Sequence, residues 1–161
     1  MTAGTIRPLE PEDLATILAW RNNPATRAAM FTRHEITAQE HGAWFARAPR
    51  DRHLLLYEEG GVPRGFAHLT GARVAEWSFY AAPGAPKGTG TRLGRAVLAH
   101  AFRPLGLHKV IGEMIEGNAP SLALHAKLGF VREGVRRAQH WDGAAWRDVV
   151  LFGLLAKEHT S

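Results

Sequence analysis

The chain has 161 residues, of which 45% are hydrophobic and 22% charged, with no cysteine and a net charge of +5. This supports one domain with a sizeable core, residues 1–161, and excludes a disordered chain, a disulfide framework and a Cys-ligated metal. The basic excess gathers at Arg47–Arg52, Lys87–Arg95 and Arg132–Arg137; without an RNA-binding aromatic motif or a recognition helix it favours a small polyphosphorylated ligand over nucleic acid.

The polar start Met1-Thr2-Ala3-Gly4 shows no signal peptide. No apolar run reaches the roughly 18 residues of a membrane span, so no membrane partner and a cytoplasmic address are expected. Thr5–Leu9 reads as an opening strand. Pro11-Glu12-Asp13 starts a helix, with proline in the first turn and acids at its positive end. Leu14, Ile17, Leu18 and Arg21 share one helical face before Asn22-Asn23-Pro24 breaks it. A short helix follows over Ala25–Met30. Thr37-Ala38-Gln39-Glu40 is a capping-box pattern and predicts a third helix over Ala38–Ala46.

Beyond Arg52 the hydrophobic period changes to that of strands. His53–Tyr57 and Val62–Leu69 form a hairpin about Glu59-Gly60-Gly61, and Val74–Ala81 is a third strand. A helix after Gly90 buries Leu93, Ala96, Val97 and Ala101 and stops near Pro104-Leu105-Gly106. Lys109–Ile115 is a strand, and Asn118 caps a helix that ends at Gly129. Phe130–Trp141 and Trp146–Leu155 make a last hairpin around Asp142-Gly143. The order β-ααα-βββ-α-β-α-ββ predicts a mixed α/β domain.

One corner of this chain carries chemistry. The strand ending at Ala81 runs through Pro83-Gly84-Ala85-Pro86 into Lys87-Gly88-Thr89-Gly90-Thr91 and a helix. Free backbone N–H groups at the positive end of a helix dipole make a seat for a phosphate or pyrophosphate. Gly88 and Gly90 let the main chain approach the anion, and Lys87 and Arg92 flank it with positive charge.

The element order, this corner and Asn118-Ala-Pro-Ser-Leu-Ala-Leu-His-Ala-Lys-Leu-Gly-Phe130 together resemble the GNAT superfamily of acetyl-CoA-dependent N-acetyltransferases. That family's phosphate loop reads Gln/Arg-x-x-Gly-x-Gly/Ala. Lys87-Gly88-Thr89-Gly90-Thr91-Arg92 is similar to it, with Lys for Arg and Arg92 in place of the small last residue. The resemblance implies a mostly antiparallel sheet with helices on both faces, in which Val74–Ala81 and Lys109–Ile115 splay apart. It also implies that acetyl-CoA lies in the gap. Its pantetheine would bond the strand backbone at Phe79, Tyr80 and Ala81, and its pyrophosphate would sit on Lys87–Arg92. Asn118 and Ser121 would lie beside the arm.

The first third narrows the resemblance. Ala19-Trp20-Arg21-Asn22-Asn23-Pro24-Ala25-Thr26-Arg27-Ala28-Ala29-Met30-Phe31, then Arg33-His34-Glu35-Ile36-Thr37 and Glu40-His41, resemble the branch that acetylates the 4-amino group of a UDP-linked 4-amino-4,6-dideoxy sugar in pseudaminic acid biosynthesis. The resemblance implies that Trp20, Arg21, Asn22, Arg27, Met30, Phe31, His34 and His41 grip a UDP-amino-sugar. Arginines suit a diphosphate and flat rings suit uracil.

Amine acetylation needs a base for the ammonium proton, N–H groups that polarise the thioester carbonyl, and an acid for the departing thiolate. Glu113 and Glu76 are the candidate bases. Glu113 is placed first, because a carboxylate amid Val110, Ile111, Met114 and Ile115 needs a purpose or a partner. His125 stands where many GNAT enzymes carry a tyrosine near the coenzyme sulfur. It either donates a proton, simply hydrogen-bonds the sulfur or carbonyl, or is a helix-surface histidine. The histidines show no metal-ligand spacing, so no metal is expected. Other acceptors fit the same frame: a protein N-terminus, a polyamine or an aminoglycoside-like amine. A non-enzymatic acyl-CoA sensor is a third reading. Arg21, Arg27 and Arg33 favour an anionic acceptor. Arg132–Arg137 reads as a solvated face on a hairpin that could also pair with a second copy in a homodimer.

Overall fold

The computed structural model describes residues 4–47 and 52–160. The start Met1–Ala3 and the interior of the Arg47–Arg52 cluster lie outside the described residues. Strand β1 (Gly4–Pro8) leads through a 3-10 turn at Pro11–Asp13 to helices α1 (Leu14–Arg21), α2 (Pro24–Ala28) and α3 (Ala38–Ala46). Strands β2 (Arg52–Glu59), β3 (Val62–Thr70) and β4 (Val74–Ala81) precede helix α4 (Thr89–Phe102). Strand β5 (Lys109–Ile115), helix α5 (Ala119–Lys127) and strands β6 (Val131–Trp141) and β7 (Trp146–Leu155) complete the chain.

The strands form a seven-stranded sheet in the order β1-β2-β3-β4-β5-β7-β6. Every neighbouring pair is antiparallel except β4 and β5. Local chemistry accounts for the turns and caps. Gly60 and Gly61 take φ of 59° and 77°, the left-handed pair that a two-residue hairpin requires. Thr37 Oγ1 accepts from the Glu40 amide at 3.1 Å, and Glu40 Oε2 accepts from the Thr37 amide at 2.7 Å, so the capping box fixes the start of α3. The first helix starts later than its proline suggests. Asp13 is pulled into a salt bridge with Arg7 at 2.8 Å, and the chain makes a tight turn there before α1 begins. The second helix ends at Ala28, short of Met30.

Strand alternation divides the core between the two faces. On one face α4 buries Leu93, Val97, Leu98 and Ala101 against Leu55, Ala67, Leu69, Ala75 and Val110. On the other, Leu9, Ile17, Leu56 and Phe66 pack beneath the first helices, with Trp20, Trp44 and Tyr80 against them. Along β4, Ala75, Trp77 and Phe79 therefore face α4, and Tyr80 faces the first helices, with Glu76 and Ser78 on its side.

The feature that positions the site lies between β4 and β5. They pair over three rungs only, Val74 with Lys109, Ala75 with Val110 and Glu76 with Ile111. Beyond Glu76, β4 stays bonded to β3 as far as Ala81, and β5 stays bonded to β7 as far as Ile115. The two central strands thus part while each keeps its outer neighbour. No helix among the described residues is long and apolar enough to cross a membrane.

Leu93 is completely buried where α4 meets the sheet. Leu93→Ala is expected to lower stability by about 2–5 kcal/mol, because the neighbours cannot close the void. Denaturant unfolding monitored by far-UV circular dichroism should show a lower midpoint with an unchanged slope.

Candidate active site

The corner after β4 is built by a chain of short bonds. The Ala82 amide donates to the Arg64 carbonyl at 2.8 Å, and the Ala85 amide to the Ala82 carbonyl at 3.1 Å. Thr89 is buried, and its hydroxyl donates to the Pro86 carbonyl at 2.6 Å, so this side chain is spent on fixing the turn. Gly88 is the N-cap of α4 with φ 87°, a conformation that disfavours any side chain. A Cβ at Gly88 would also stand 2.9 Å from Arg92 Nη1. The Gly90 and Thr91 amides belong to the first turn, where no intrahelical carbonyl is available to them, and the helix dipole favours an anion there. Lys87 is exposed beside them.

Arg92 departs from its expected place. It sits one turn inside α4, not at the end of the loop. Its Nε donates to Glu59 Oε1 at 2.6 Å and its Nη2 to Thr89 Oγ1 at 3.1 Å. Glu59 also accepts from the Tyr57 hydroxyl at 2.8 Å. The guanidinium is therefore neutralised by the β2–β3 hairpin and braces the corner. It is not a free charge for the pyrophosphate.

From this corner a slot runs down between the parted strands. Trp77 to Ala81 are bonded to β3 on one side only, so their backbone groups toward β5, Phe79, Tyr80 and Ala81 among them, have no strand partner. The start of α5 borders the slot. Asn118 Oδ1 accepts from the Ser121 amide at 3.3 Å, and Ser121 Oγ lies 3.8 Å from Met114 Sδ. Asn118 and Ser121 both line the cavity, as do Phe79, Tyr80 and Ala81.

His125 is a buried member of the slot wall. It is 3% exposed, so it is not a surface residue. Trp77 Nε1–H donates to its Nε2 at 3.1 Å, and its Nδ1 stands 2.8 Å from the Ser121 carbonyl. An indole can only donate, so Nε2 accepts and the proton sits on Nδ1, where the carbonyl holds it. Burial pushes its pKa down, against the lesser effect of the Ser121 carbonyl. The ring is neutral at pH 7 and has no free proton for a departing thiolate.

The slot opens into a cavity of about 810 Å³ that continues to the side of the first helices. Of the acceptor candidates, Arg21, Met30, Phe31 and His41 line it. Trp20, Asn22, Arg27 and His34 do not. Trp20 packs into the second core cluster. Asn22 clamps Ile36 with two bonds of 2.8 Å, Nδ2–H to the carbonyl and amide to Oδ1. Arg27 Nε donates to the Arg33 carbonyl at 3.1 Å, and exposed His34 lies 3.6 Å from Glu40. These polar residues shape the loop between α2 and α3 and leave the ligand to others. Arg27 and Arg33 thus add no charge to the lining, contrary to the expectation of three arginines there.

Arg21 remains. Its Nη2 donates to the Thr32 carbonyl at 2.6 Å, while its Nη1 is buried without a partner. Desolvation, with Arg27 adding to it, lowers the pKa of Arg21. Its positive charge is thus held where an anion would be welcome. His41 stacks on Trp44 with ring centres 5.0 Å apart, and burial followed by Arg21 lowers its pKa.

Two carboxylates lie at the parting of the strands. Glu76 and Glu113 face the cavity from β4 and β5. Glu113 is bonded to Arg136 Nη1 at 2.5 Å. Its partner is therefore an arginine of β6, and Arg136 is not part of a merely solvated face. Glu76 makes no side-chain hydrogen bond among the described residues. Glu76 is exposed, yet partial desolvation of its carboxylate at the cavity raises its pKa, and the Glu113 carboxylate raises it further against the pull of Arg136.

The sequence reading missed His68. It sits on the acceptor face of β3, in register with Ser78, and lines the cavity with Trp44 and Phe66. Its Nδ1 is buried without a partner, and burial, helped by Arg52, lowers its pKa to about 4. Its alternation with Phe66 along β3 was the available signal.

The sequence model of the acetyltransferase (GNAT) domain matches residues 5–131. The L-methionine sulfoximine/L-methionine sulfone acetyltransferase of Salmonella typhimurium is 28% identical over 98% of this chain and 97% of its own. The spermidine N-acetyltransferase of Vibrio cholerae, solved with CoA and spermine, superposes with a TM-score of 0.89 at 23% identity, over 97% of both chains. A Salmonella typhimurium protein solved with its cofactor acetyl-CoA superposes with a TM-score of 0.76 at 26% identity, over 99% of this chain and 98% of the other. The chain belongs to the GNAT acetyltransferase family and is an N-acetyltransferase whose acetyl donor is acetyl-CoA.

Proposed function

We propose that this enzyme acetylates the 4-amino group of a UDP-linked 4-amino-4,6-dideoxy sugar, with Glu76 as the base. The observation that carries an anionic amine as acceptor is the pair of uncommitted charges in the cavity wall. Arg21 keeps a buried N–H without a partner, and Glu76 is a carboxylate without one. Glu113 is taken by Arg136, and Glu40 by the Thr37 amide and His34. Among the described residues of the cavity wall, one free cation and one free carboxylate suit a molecule that carries both an anionic group and an amine. They do not suit a polycation. The resemblance of the Trp20–Phe31 and His34–His41 segments to the nucleotide-sugar branch selects the UDP-sugar within that class. Trp44, Phe66 and Tyr80 supply flat surfaces for a base or a sugar ring.

The acetyl group arrives as a thioester, whose carbonyl carbon is the electrophile. Glu76 takes one proton from the ammonium, and the raised pKa suits a base that works near neutrality. The amine's lone pair forms the C–N bond, the C–S bond breaks with its electron pair going to sulfur, and the second nitrogen proton passes to that sulfur. The unpaired β4 backbone at Phe79–Ala81 holds the pantetheine arm. The Gly88–Thr91 corner holds the pyrophosphate, with Lys87 beside it, and Asn118 and Ser121 border the arm.

A second reading is an amino acid acceptor of the kind that the full-length Salmonella relative acts on. It is favoured by the single free cation, since Arg21 alone matches a carboxylate better than a diphosphate.

A thermal-shift panel separates the two. Acetyl-CoA and UDP should each raise the melting temperature by about 5–10 °C at a hundredfold excess over Kd, and L-methionine sulfone should not. A response to methionine sulfone but not to UDP selects the second reading.

Glu76→Gln should lower kcat by about 10²–10⁴-fold and leave CoA affinity unchanged. In the wild type, activity falls as pH drops through the raised pKa of Glu76, so the acid limb lies above the usual Glu value of about 4.3. Glu113→Gln removes the like charge and should shift that limb to lower pH. A limb that stays in place in Glu113→Gln, or full turnover in Glu76→Gln, would remove Glu76 from this role.

A further inference from the structure

The geometry points to His125 and Trp77 as the keystone that holds the coenzyme slot open: a buried indole-to-imidazole hydrogen bond at the first rung where the central strands cease to pair, positioning β4 against β5 and α5. The parallel register runs Val74–Lys109, Ala75–Val110, Glu76–Ile111, so the next rung would be Trp77–Gly112. That rung has no backbone pairing, and the Trp77 and His125 rings, bonded to each other, lie against Gly112 there instead. A Cβ on Gly112 would stand 2.8 Å from His125 Nε2 and 3.0 Å from Trp77 Nε1. The glycine is what lets both rings lie against the backbone of β5.

The rest of the arrangement locks the rings in place. Trp77 is 4% exposed and His125 3%, so neither ring can exchange its bond for water. The imidazole is enclosed by Phe130, Phe152 and Phe79, with ring centres 4.9, 5.7 and 6.1 Å away. Its other nitrogen is tied to the Ser121 carbonyl, one turn back on α5. One side chain therefore connects β4, β5 and the start of the helix that borders the slot. The Trp77–His125 bond crosses between elements far apart in sequence, and breaking it strands a buried donor and a buried acceptor.

This role belongs to a positioning residue and does not depend on which amine is acetylated. It makes coenzyme affinity, not proton transfer, the quantity that His125 controls. The intact chain and its His125→Leu, His125→Gln and Trp77→Phe variants would be titrated calorimetrically with CoA, with melting temperatures measured alongside. His125→Leu should weaken CoA about tenfold, and Trp77→Phe about three- to tenfold, the worth of one buried hydrogen bond. His125→Gln, which keeps an acceptor near the place of Nε2, should recover most of the affinity. The acetyl-CoA KM should follow the CoA Kd while kcat stays within about threefold and the pH profile keeps its shape.

CoA affinity within twofold of wild type in Trp77→Phe and His125→Leu would overturn the proposal. So would intact affinity with a collapsed kcat and a lost limb of the pH profile, the signature of an acid. If His125→Leu does not fold, Trp77→Phe decides alone. Failure of the UDP-sugar reading would show in the acceptor panel and leave this titration untouched.

Discussion

The site depends on one constraint: two parallel strands that pair for three rungs and then diverge. A strand edge inside a protein must satisfy its N–H and C=O groups. Along β4 from Trp77 to Ala81 the sheet leaves that need unmet on the β5 side, while β3 holds the same residues in line. On the proposed reading, that unmet need is met by the amide-bearing pantetheine arm of acetyl-CoA. The corner that opens α4 follows on β4, so one continuous run of backbone carries first the unpaired strand groups and then the free amides of the helix start. Divergence also connects the two faces of the sheet. Without it the side of α4 and α5 and the side of the first helices would be separated by a layer of backbone.

Charge in the site is decided by pairing more than by composition. The chain carries an excess of cations, yet the arginines nearest the chemistry are mostly committed. Arg92 is held by Glu59 and Arg136 holds Glu113, while Arg27 is tied to a backbone carbonyl. What remains is small and specific: Arg21 with one unpaired buried N–H, and Glu76 with its proton affinity raised by partial desolvation and by its neighbour. The Glu113 carboxylate, bonded to Arg136, is one reason Glu76 binds a proton more readily.

Much of the fold was legible because hydrophobic period and turn chemistry agreed. The capping box at Thr37 and Glu40, the Gly60-Gly61 turn and the strands Val74–Ala81, Lys109–Ile115 and Trp146–Leu155 all stand where their patterns put them. The site was less legible, for a physical reason. A sequence shows that Arg92 and His125 carry the right chemistry, but not what they are spent on. Arg92 lies 33 residues from Glu59 and His125 lies 48 from Trp77, and nothing local reports those partners. The same holds for Asn22 and Arg27, whose motif spacing reflects the loop they tie down. His68 was missed for the converse reason: as one polar residue in an apolar strand, it gained meaning only when β3 was seen to floor the cavity.

In the segment from α1 to the loop before α3, some polar residues hold the chain in place while their neighbours line the cavity. Asn22 and Arg27 hold this segment to the helices below, and Arg21 does so with one nitrogen while leaving another for a ligand. Met30 and Phe31 are thereby placed in the cavity wall, and Phe31 meets His140 of β6 edge to face at 5.3 Å. The last hairpin thus reaches the acceptor chamber twice, through His140 against the loop and through Arg136 against Glu113. Its pairing with β7, which itself pairs with β5, links β6 to the strand that bears Glu113. The part of the cavity beneath the first helices is therefore built by elements from both ends of the chain, while the parted strands and the α4 corner come from the middle.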